Sequence, residues 1–525
     1  MRMPQEKKYQ RRWWTLAVLS LSLVIIGLDN TILNVAIPTL QQDLSATASQ
    51  LQWMVASYVL VFAGLLLTMG AVGDRFGRAK ALVIGLVIFG GGSAVAAFTD
   101  SATQLIAARA VMGIGGALIM PATLSIITDV FPREERGRAI GIWAAVAGLG
   151  IGIGPVVGGA LLENFWWGSV FLINVPIVIG ALVLGYFLVP ASRDPNSTPL
   201  DIWGAATSMV AVSALVYGII EGPDYGWTST RVMTASGLSL AFGLLFLFIE
   251  RRTDHPMLNL DYFKNRRFSG GATAISIAFF SLFGVIFLLT QYLQFVQGYS
   301  ALEAGLRTAP IAIGMVIGAA TSPRLVERFG TTRVVTFGLL VLSGVLAVFT
   351  TFGVDTEYWV IGTAIIALSY GMGNIMAPST DAVMGAVPVS KAGVASATND
   401  VTRQVAGAIG VAVVGSVFNS AYATNMATAV AQLPPDVAAG ASNSIGAARQ
   451  IAANLPGDAG SALFGAAQQA FVDAMGAAIF VAVGVALLGA VLVALFMPAE
   501  HEAEIFEPEV GSSLKGNPLP VAGEA

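Results

Sequence analysis

The segment GDRFGRAK (73–80) recurs as VERFGTTR (326–333), and this pair of segments decides the fold. In both copies an acidic residue, Arg, Phe and Gly follow one another in register, and a basic residue closes the segment. The first copy follows the second long apolar stretch of the chain, and the second copy follows the tenth. The chain is therefore predicted to be a duplication whose halves are offset by eight helices.

The composition is that of a membrane protein. Of the 525 residues, 55% are hydrophobic and 11% are charged, whereas about 25% of an ordinary soluble domain is charged. Apolar stretches of about 20 residues, long enough to cross a bilayer as a helix, recur along most of the chain. The first one follows the basic segment RMPQEKKYQRR (2–12) and is too long for the core of a signal peptide, so we expect it to be retained.

Fourteen membrane-spanning helices are predicted. Because the number is even, both termini lie on one side, and placing them in the cytoplasm puts 22 of the 27 Lys and Arg residues in cytoplasmic segments. We expect a multi-pass protein of the cytoplasmic (inner) membrane. The predicted spans are about 14–37, 51–72, 80–98, 102–125, 139–162, 169–189, 202–220, 232–250, 270–292, 303–321, 333–352, 358–378, 393–418 and 472–497.

The fold predicted from these features is an all-α membrane protein with two six-helix bundles and two inserted helices. Duplicated halves with a site at their interface are typical of secondary transporters. The outer loop at about 419–470 is either a tolerated insertion or a pair of short amphipathic helices. The predicted units are an N-terminal bundle (1–190), two linker helices (191–268), a C-terminal bundle (269–497) and a disordered cytoplasmic tail (498–525).

Several kinds of chemistry are absent from the sequence. The chain has no cysteine, and its two histidines, His255 and His501, lie in polar segments. No lysine follows a glycine, so there is no phosphate-binding loop of the GxxxxGK type. We therefore expect no cofactor, no metal, no nucleic-acid partner and no enzymatic activity, and an ion gradient remains as the energy source. A channel is an alternative to a transporter, and it would allow flux that continues after the ion gradient collapses.

One carboxylate interrupts the first span, LSLVIIGLDNTILNVAIP (21–38). A charge at the bilayer centre costs roughly 2.5–3.5 kcal/mol, so Asp29 is a functional candidate. If Pro38 marks the outer helix end, Asp29 lies about 13 Å below it, and Arg109 lies roughly 10 Å below the outer surface in the fourth helix. At similar depth the two either pair, compete through water for one proton, or form a static structural ion pair.

Two other charge pairs lie within predicted helices. Asp400 and Arg403, at i and i+3, are a secondary functional candidate, whereas Glu303 and Arg307, at i and i+4, are expected only to neutralise each other. The repeat counterpart of the first-helix aspartate is Leu282. The proton-active charges are therefore expected mainly in the first bundle.

Two glycine-containing segments are candidates for moving parts. The segment GAVGDRFGRAKAL (70–82) has two interpretations. Either it is a basic loop that only sets the membrane topology, or its carboxylate and the cations beside it form a salt-bridge network that locks one conformation. In AIGIWAAVAGLGIGIGPVVGGAL (139–161), the lack of side chains allows close helix packing, and a proline is expected to bend the helix. This second segment predicts a surface along which the two bundles rock, formed by Gly141, Gly150, Gly154, Pro155, Gly158 and Gly159. The alternative, ordinary tight packing between helices, accounts for single glycines but poorly for so many.

The chain resembles the major facilitator superfamily, and within it the fourteen-helix drug:proton antiporters. The match covers about residues 10–497. Three motifs carry the resemblance, and a fourth, the glycine and proline spacing of the fifth helix, is associated with exporters and not with importers. The three are GAVGDRFGRAK (70–80), LDNTILNVAIP (28–38) with Ile37 where Leu is usual, and LIAARAVMGIGGA (105–117) with Met112 where Gln is common.

The resemblance implies roles for particular residues. Asp29 and Arg109 would act in proton coupling, and a gating network would be formed by Gly70, Asp74, Arg75, Gly77 and Arg78. One departure concerns the stretch WMVASYVL (53–60), where Ala56 replaces a carboxylate that exporters of quaternary ammonium compounds often carry. This weakens the case for divalent cations as substrates. The run WGSVFLINVP (167–176) still resembles the exporters of quaternary ammonium compounds, so lipophilic monocations remain possible substrates.

We therefore predict a proton-driven exporter of amphipathic or lipophilic compounds that works by alternating access. The alternative is an exporter of an endogenous metabolite or lipid on the same fold. Its partners would be small amphipathic substrates, protons and the bilayer, and we expect a monomer. The substrate pocket is expected between the bundles near mid-membrane, with Asn34, Tyr58, Gln291, Gln294, Tyr370, Asn374 and Asp400 as candidate lining residues.

Overall fold

The computed structural model describes residues 10–191, 201–253, 256, 258, 260–387, 392–455 and 458–498. Within these ranges the regular structure is entirely helical. The predicted tail, apart from Pro498, lies outside the described residues, and so does His255.

Long helices account for almost all of the described chain. Thirteen candidate spans are long and apolar enough to cross a membrane, and the 32-residue helix Arg133–Asn164 supplies the fourteenth predicted helix. We number them α1 (Arg12–Asp43), α2 (Ala48–Phe76), α3 (Arg78–Ala97), α4 (Ala102–Val130), α5 (Arg133–Asn164), α6 (Ser169–Leu172 and Asn174–Leu188), α7 (Ile202–Tyr225), α8 (Thr230–Arg252), α9 (Arg266–Gln291), α10 (Ala301–Thr308 and Pro310–Phe329), α11 (Thr331–Phe349), α12 (Tyr358–Gly385), α13 (Ala392–Met426) and α14 (Asp458–Phe496).

The two halves repeat the same packing. In the first half α1 packs on α5, α2 on α4 and α3 on α4, and the counterparts eight helices later, α9 on α13, α10 on α12 and α11 on α12, pack in the same way. The repeated segment has the same geometry in both copies, because Gly77 (φ +119°) and Gly330 (φ +82°) each end one helix and begin the next. Such positive φ angles favour glycine. The predicted internal duplication is confirmed.

Helix α1 is longer than predicted at one end. It continues through Pro38 to Asp43, so the prediction that Pro38 marks the helix end was wrong. Proline is tolerated inside membrane helices because neighbouring helices and local adjustments satisfy the freed backbone groups. We call the end that carries the α1–α2 connection the outer end and the end that carries Gly77 the inner end, following the orientation predicted from charge.

The connection between α13 and α14 contains two short helices, Pro435–Asn443 and Ile445–Asn454. They are not a loose insertion, since Ala441, Ile445 and Ala448 are buried. The second helix packs on α14 and on the outer end of α1. Gln450 Nε2 donates to the carbonyl of Gln42 at 3.1 Å, and Asn443 Oδ1 accepts from the N–H of Ala48 at 3.3 Å. The connection therefore joins the second half to the outer end of the first.

Other contacts between the halves also lie at the outer end. The first piece of α10 packs on α5, and α2 packs along α13. A five-residue π-helical turn, Tyr292–Val296, extends α9, and within it Gln294 Nε2 donates to the carbonyl of Val35 in α1 at 2.9 Å. The linker helices α7 and α8 pack on each other, and α7 also contacts α2 and α13.

Candidate functional site

Asp29 and Arg109 form an ion pair inside the first half. Arg109 Nη1 donates to Asp29 Oδ2, and the two residues expose 1% and 0% of their surfaces. Their contact shows that they lie at the same depth, as expected, although α1 continues five residues beyond Pro38, from which the depth of Asp29 was reckoned. A charge pair so far from water is stable only when its members remain together, because an unpaired charge in low dielectric is strongly destabilising.

The guanidinium of Arg109 has partners on α2 as well. Its Nε donates to the carbonyl of Met54 at 3.1 Å, and its Cζ lies 4.4 Å from the centre of the Tyr58 ring. Three buried polar atoms of the cluster have no hydrogen-bond partner: Asp29 Oδ1, the hydroxyl of Tyr58 and Oδ1 of Asn174 in α6. Buried polar atoms are usually paired, so these unpaired atoms distinguish the ion pair from an ordinary structural contact.

Asn174 of α6 completes the cluster. It is fully buried and interacts with the Asp29 carboxylate. Its Nδ2 also donates to Ser93 Oγ of α3 at 3.0 Å, while the Ser93 hydroxyl donates to the carbonyl of Phe171 at 2.8 Å. The sequence predictions missed Asn174 and Ser93. The available signal was a single Asn in the apolar run FLINVPIVIG (171–180), since polar residues in spans tend to be functional.

The predicted gating residues lie at the inner end, around the α2–α3 junction. Arg78 Nε donates to Asp74 Oδ1 at 2.6 Å, and Arg78 Nη1 donates to the carbonyl of Ser125 in α4 at 3.2 Å. Arg75 is exposed, with its guanidinium 5.7 Å from the ring of the adjacent Phe76. Arg78 thus binds a carboxylate of its own segment and a backbone carbonyl of α4.

Close helix packing explains the glycine at the start of this segment. A Cβ at Gly70 would lie 3.3 Å from the Cβ of Pro121 in α4. The backbones of α2 and α4 thus approach closely just before the junction.

The glycines of α5 mainly face α1, a helix of the same half. A Cβ at Gly150 would lie 3.1 Å from the carbonyl oxygen of Val24, one at Gly154 would meet Thr31 Oγ1 and one at Gly158 would lie 2.5 Å from Ile32 Cγ1. The expectation that these glycines form a surface between the two bundles was therefore wrong for these three. The spacing of the glycines shows that one face of α5 lacks side chains, but it does not show which helix packs against that face.

The next turn of α5 does meet the other half. A Cβ at Gly159 would lie 2.5 Å from the carbonyl oxygen of Ala301, and the carbonyl of Pro155 lies against Gly305. Gly141 lies in the same helix, but its surroundings are not among those described. The predicted α5 motif thus divides into a part that packs on α1 and a shorter part that contacts α10.

The predicted pocket residues lie on five helices, α1, α2, α9, α12 and α13. Tyr58 lies inside the first half against Arg109, and the side-chain amides of Asn34, Gln291 and Asn374 donate to carbonyls of their own helices at 3.0–3.2 Å. Gln294 bridges the halves, and Tyr370 is partly buried in α12.

The second charge pair lies in α13. Arg403 Nη2 donates to Asp400 Oδ1, and the guanidinium of Arg403 lies 5.3 Å from the ring of Phe279 in α9. Near the outer end, Glu303 and Arg307 are 3.7 Å apart, and the Arg307 guanidinium also faces the ring of Tyr299 at 3.7 Å. Arg307 therefore has an aromatic partner as well as the carboxylate that the sequence predicted.

Comparisons with known proteins agree with this architecture. The family model of the Major Facilitator Superfamily matches residues 19–411. The multidrug efflux pump LfrA of Mycolicibacterium smegmatis is 37% identical over 462 residues, covering 88% of this chain and 91% of the relative. The methyl viologen resistance protein SmvA of Salmonella typhimurium is 35% identical over 468 residues, covering 88% and 93%.

A solved structure shares the fold. It is a bacterial homologue of the human lysosomal transporter Spinster in an inward-facing, occupied conformation. The TM-score is 0.62 at 18% sequence identity, and the match covers 92% of this chain and 97% of that one.

Proposed function

Because this chain belongs to the Major Facilitator Superfamily, a family of transporters and not of enzymes, we propose that it is a proton-coupled exporter of amphipathic or lipophilic drugs. The two relatives described above are named for drug efflux and resistance, which supports drugs as the substrate class. The proposal places the protein in the cytoplasmic membrane as a monomer with both termini in the cytoplasm. It keeps the predicted division into two bundles and two linker helices.

The buried pair of Asp29 and Arg109 carries the proposal. Asp29 Oδ1 has no hydrogen-bond partner, so it is the atom at which a proton would bind. Protonation would remove the negative charge and leave Arg109 with the Met54 carbonyl and the Tyr58 ring. The amide oxygen of Asn174 also has no partner and is a suitable acceptor for the new O–H.

The packing of α1 on α5, and of α5 on α10, connects the protonation of Asp29 to the second half. Leu28 and Thr31, on either side of Asp29 in α1, contact α5 at Gly154, and one turn later Gly159 contacts Ala301 of α10. A change in the position of α1 would therefore move α5 against the second half. Interfaces as tightly packed as these tend to be bistable, which alternating access requires.

The substrate would bind between the halves. Asp400 and Arg403, with the nearby ring of Phe279, form the charged and aromatic group that α13 and α9 contribute there. A lipophilic monocation would suit a carboxylate beside an aromatic ring, provided that Arg403 moves away. Ala56, fully buried in α2, supplies no second carboxylate for a dication.

Reconstitution tests the function directly. Purified protein in proteoliposomes, given an imposed pH gradient, should move a fluorescent lipophilic cation against its concentration gradient, and protons should flow in the opposite direction. A protonophore should stop the uphill movement. Dye flux that continues downhill after the gradient has collapsed would indicate a channel and contradict the proposal.

A further inference from the structure

A groove of about 720 Å³ lies between the outer parts of α2, α7 and α8. Its volume falls within the range of roughly 300–1,000 Å³ that is usual for small-molecule sites. The lining is largely apolar, with Trp53, Met209, Val210, Tyr217 and Leu238 among its residues. Its lining contains neither Asp29 nor Arg109, and the two sites share only helix α2.

The groove opens onto a surface that contacts lipid. Large apolar side chains cover the exposed surface of α8, among them Met233, Leu240, Leu244 and Phe248. Apolar side chains in a membrane-spanning helix face the acyl chains of the bilayer when no protein covers them. An apolar depression in this wall is therefore accessible to a lipid chain from the side.

One cation lies at the rim of the groove. Arg231 is in the first turn of α8, its Cζ is 4.5 Å from the centre of the Tyr225 ring, and no carboxylate among the described residues forms an ion pair with it. A basic residue is disfavoured at a helix N-terminus, where the backbone N–H groups already attract anions. The helix itself thus gives no reason for an arginine here, whereas an anion at the rim does.

The two acidic side chains at the outer end of α7 have other partners. Glu221 Oε1 accepts from Trp53 Nε1 at 2.8 Å, and Asp224 Oδ2 accepts from the hydroxyl of Ser49 at 2.6 Å. Both bonds tie α7 to the outer end of α2. They leave the Arg231 guanidinium available for a ligand that is not part of the chain.

We propose that this groove holds one phospholipid of the outer leaflet, with its phosphate on Arg231 and an acyl chain along the apolar lining. The phosphate complements the cation and the helix N-terminus, and the chain replaces bulk lipid in the depression. Because Trp53 belongs to α2, the bound lipid would support the contact of the linker helices with the first half. The site is independent of the proposed proton coupling.

The absence of cysteine allows a direct test. Ser213, which lines the groove, is changed to Cys, a nearly isosteric substitution. Leu240→Cys, on the exposed surface of α8 at similar depth, is the matched control. The rate of maleimide labelling is measured in detergent while phosphatidylglycerol is added, and diacylglycerol with the same acyl chains serves as the ligand without phosphate.

Phosphatidylglycerol should slow labelling at Ser213→Cys but not at Leu240→Cys, and diacylglycerol should have little effect. Adding Arg231→Gln should weaken the protection about fivefold, as expected for one interfacial charge. Equal protection by diacylglycerol, or protection that survives Arg231→Gln, would overturn the phosphate assignment. Protection by a transported dye and not by phospholipid would make the groove a substrate entrance and overturn the proposal as well.

Discussion

Removing the two charges of the buried pair one at a time and then together separates a structural role from proton coupling. Asp29→Asn leaves Arg109 buried without a counter-ion, a change that costs about 3–5 kcal/mol in comparable pairs. The Met54 carbonyl and the Tyr58 ring remain, each worth about 1 kcal/mol, so we expect a loss of about 1–3 kcal/mol. Arg109→Gln should destabilise the protein similarly, because it leaves the carboxylate unpaired.

The double variant Asp29→Asn with Arg109→Gln removes both charges and keeps amides that can hydrogen-bond. It should recover most of the lost thermal stability in detergent, as a double-mutant cycle reveals for residues in contact. Transport should not recover, since neither amide titrates. Efflux driven by a pH gradient in proteoliposomes should fall to background in the double variant, and Asp29→Glu should keep part of the activity.

Two results would refute this reasoning. If the double variant pumps at the parental rate, the pair is a static structural element, and Asp400 becomes the next candidate for the proton site. If Asp29→Asn alone is as stable as the parent protein, the charge is not confined to the dry contact with Arg109 that the structure describes.

Three further predictions concern residues outside the pair. Asn174→Leu should reduce pH-driven efflux several-fold while downhill exchange of substrate continues, and loss of both activities would indicate a packing defect instead. Gly154→Leu should lower thermal stability because it forces α1 from α5. Gly159→Leu should instead separate the outer ends of the halves, as the reactivity of a cysteine placed between them would report. Arg78→Gln should impair efflux, because it removes the contacts of Arg78 with Asp74 and with the carbonyl of Ser125 in α4. Arg328→Gln, an exposed arginine of the second copy that corresponds to Arg75, should leave efflux near normal; equal effects would mean that the two loops act alike.

The fold followed from the sequence because a bilayer restricts the possible structures. Backbone groups in lipid must be satisfied within a helix, so apolar length alone predicts most of the spans. The repeated segment then predicts which helices correspond, and the matching pairs of helices confirm it. The similar depth of Asp29 and Arg109 was also predicted, but the calculation took Pro38 as the outer end of α1, and α1 continues to Asp43.

Lateral contacts could not be predicted in this way. Asn174 and Ser93 meet because α6 packs beside α3, and nothing in either helix alone indicates that neighbour. Gly154 faces α1 and Gly159 faces α10 although both belong to one smooth helix surface. The length of α1 was underestimated because Pro38 is a helix terminator in water more often than in a packed membrane bundle.

The hydrogen bonds that join the halves at the outer end affect the equilibrium between the two arrangements of the protein. Three of them cross between the halves, from Gln294 to Val35, from Gln450 to Gln42 and from Ala48 to Asn443. At about 1 kcal/mol each, they favour the arrangement with the outer ends together by more than about 100 to 1. A ligand that binds both arrangements equally leaves that ratio unchanged, however tightly it binds. A good substrate is therefore one whose affinity differs between the two arrangements, and a tight ligand without that difference acts as an inhibitor.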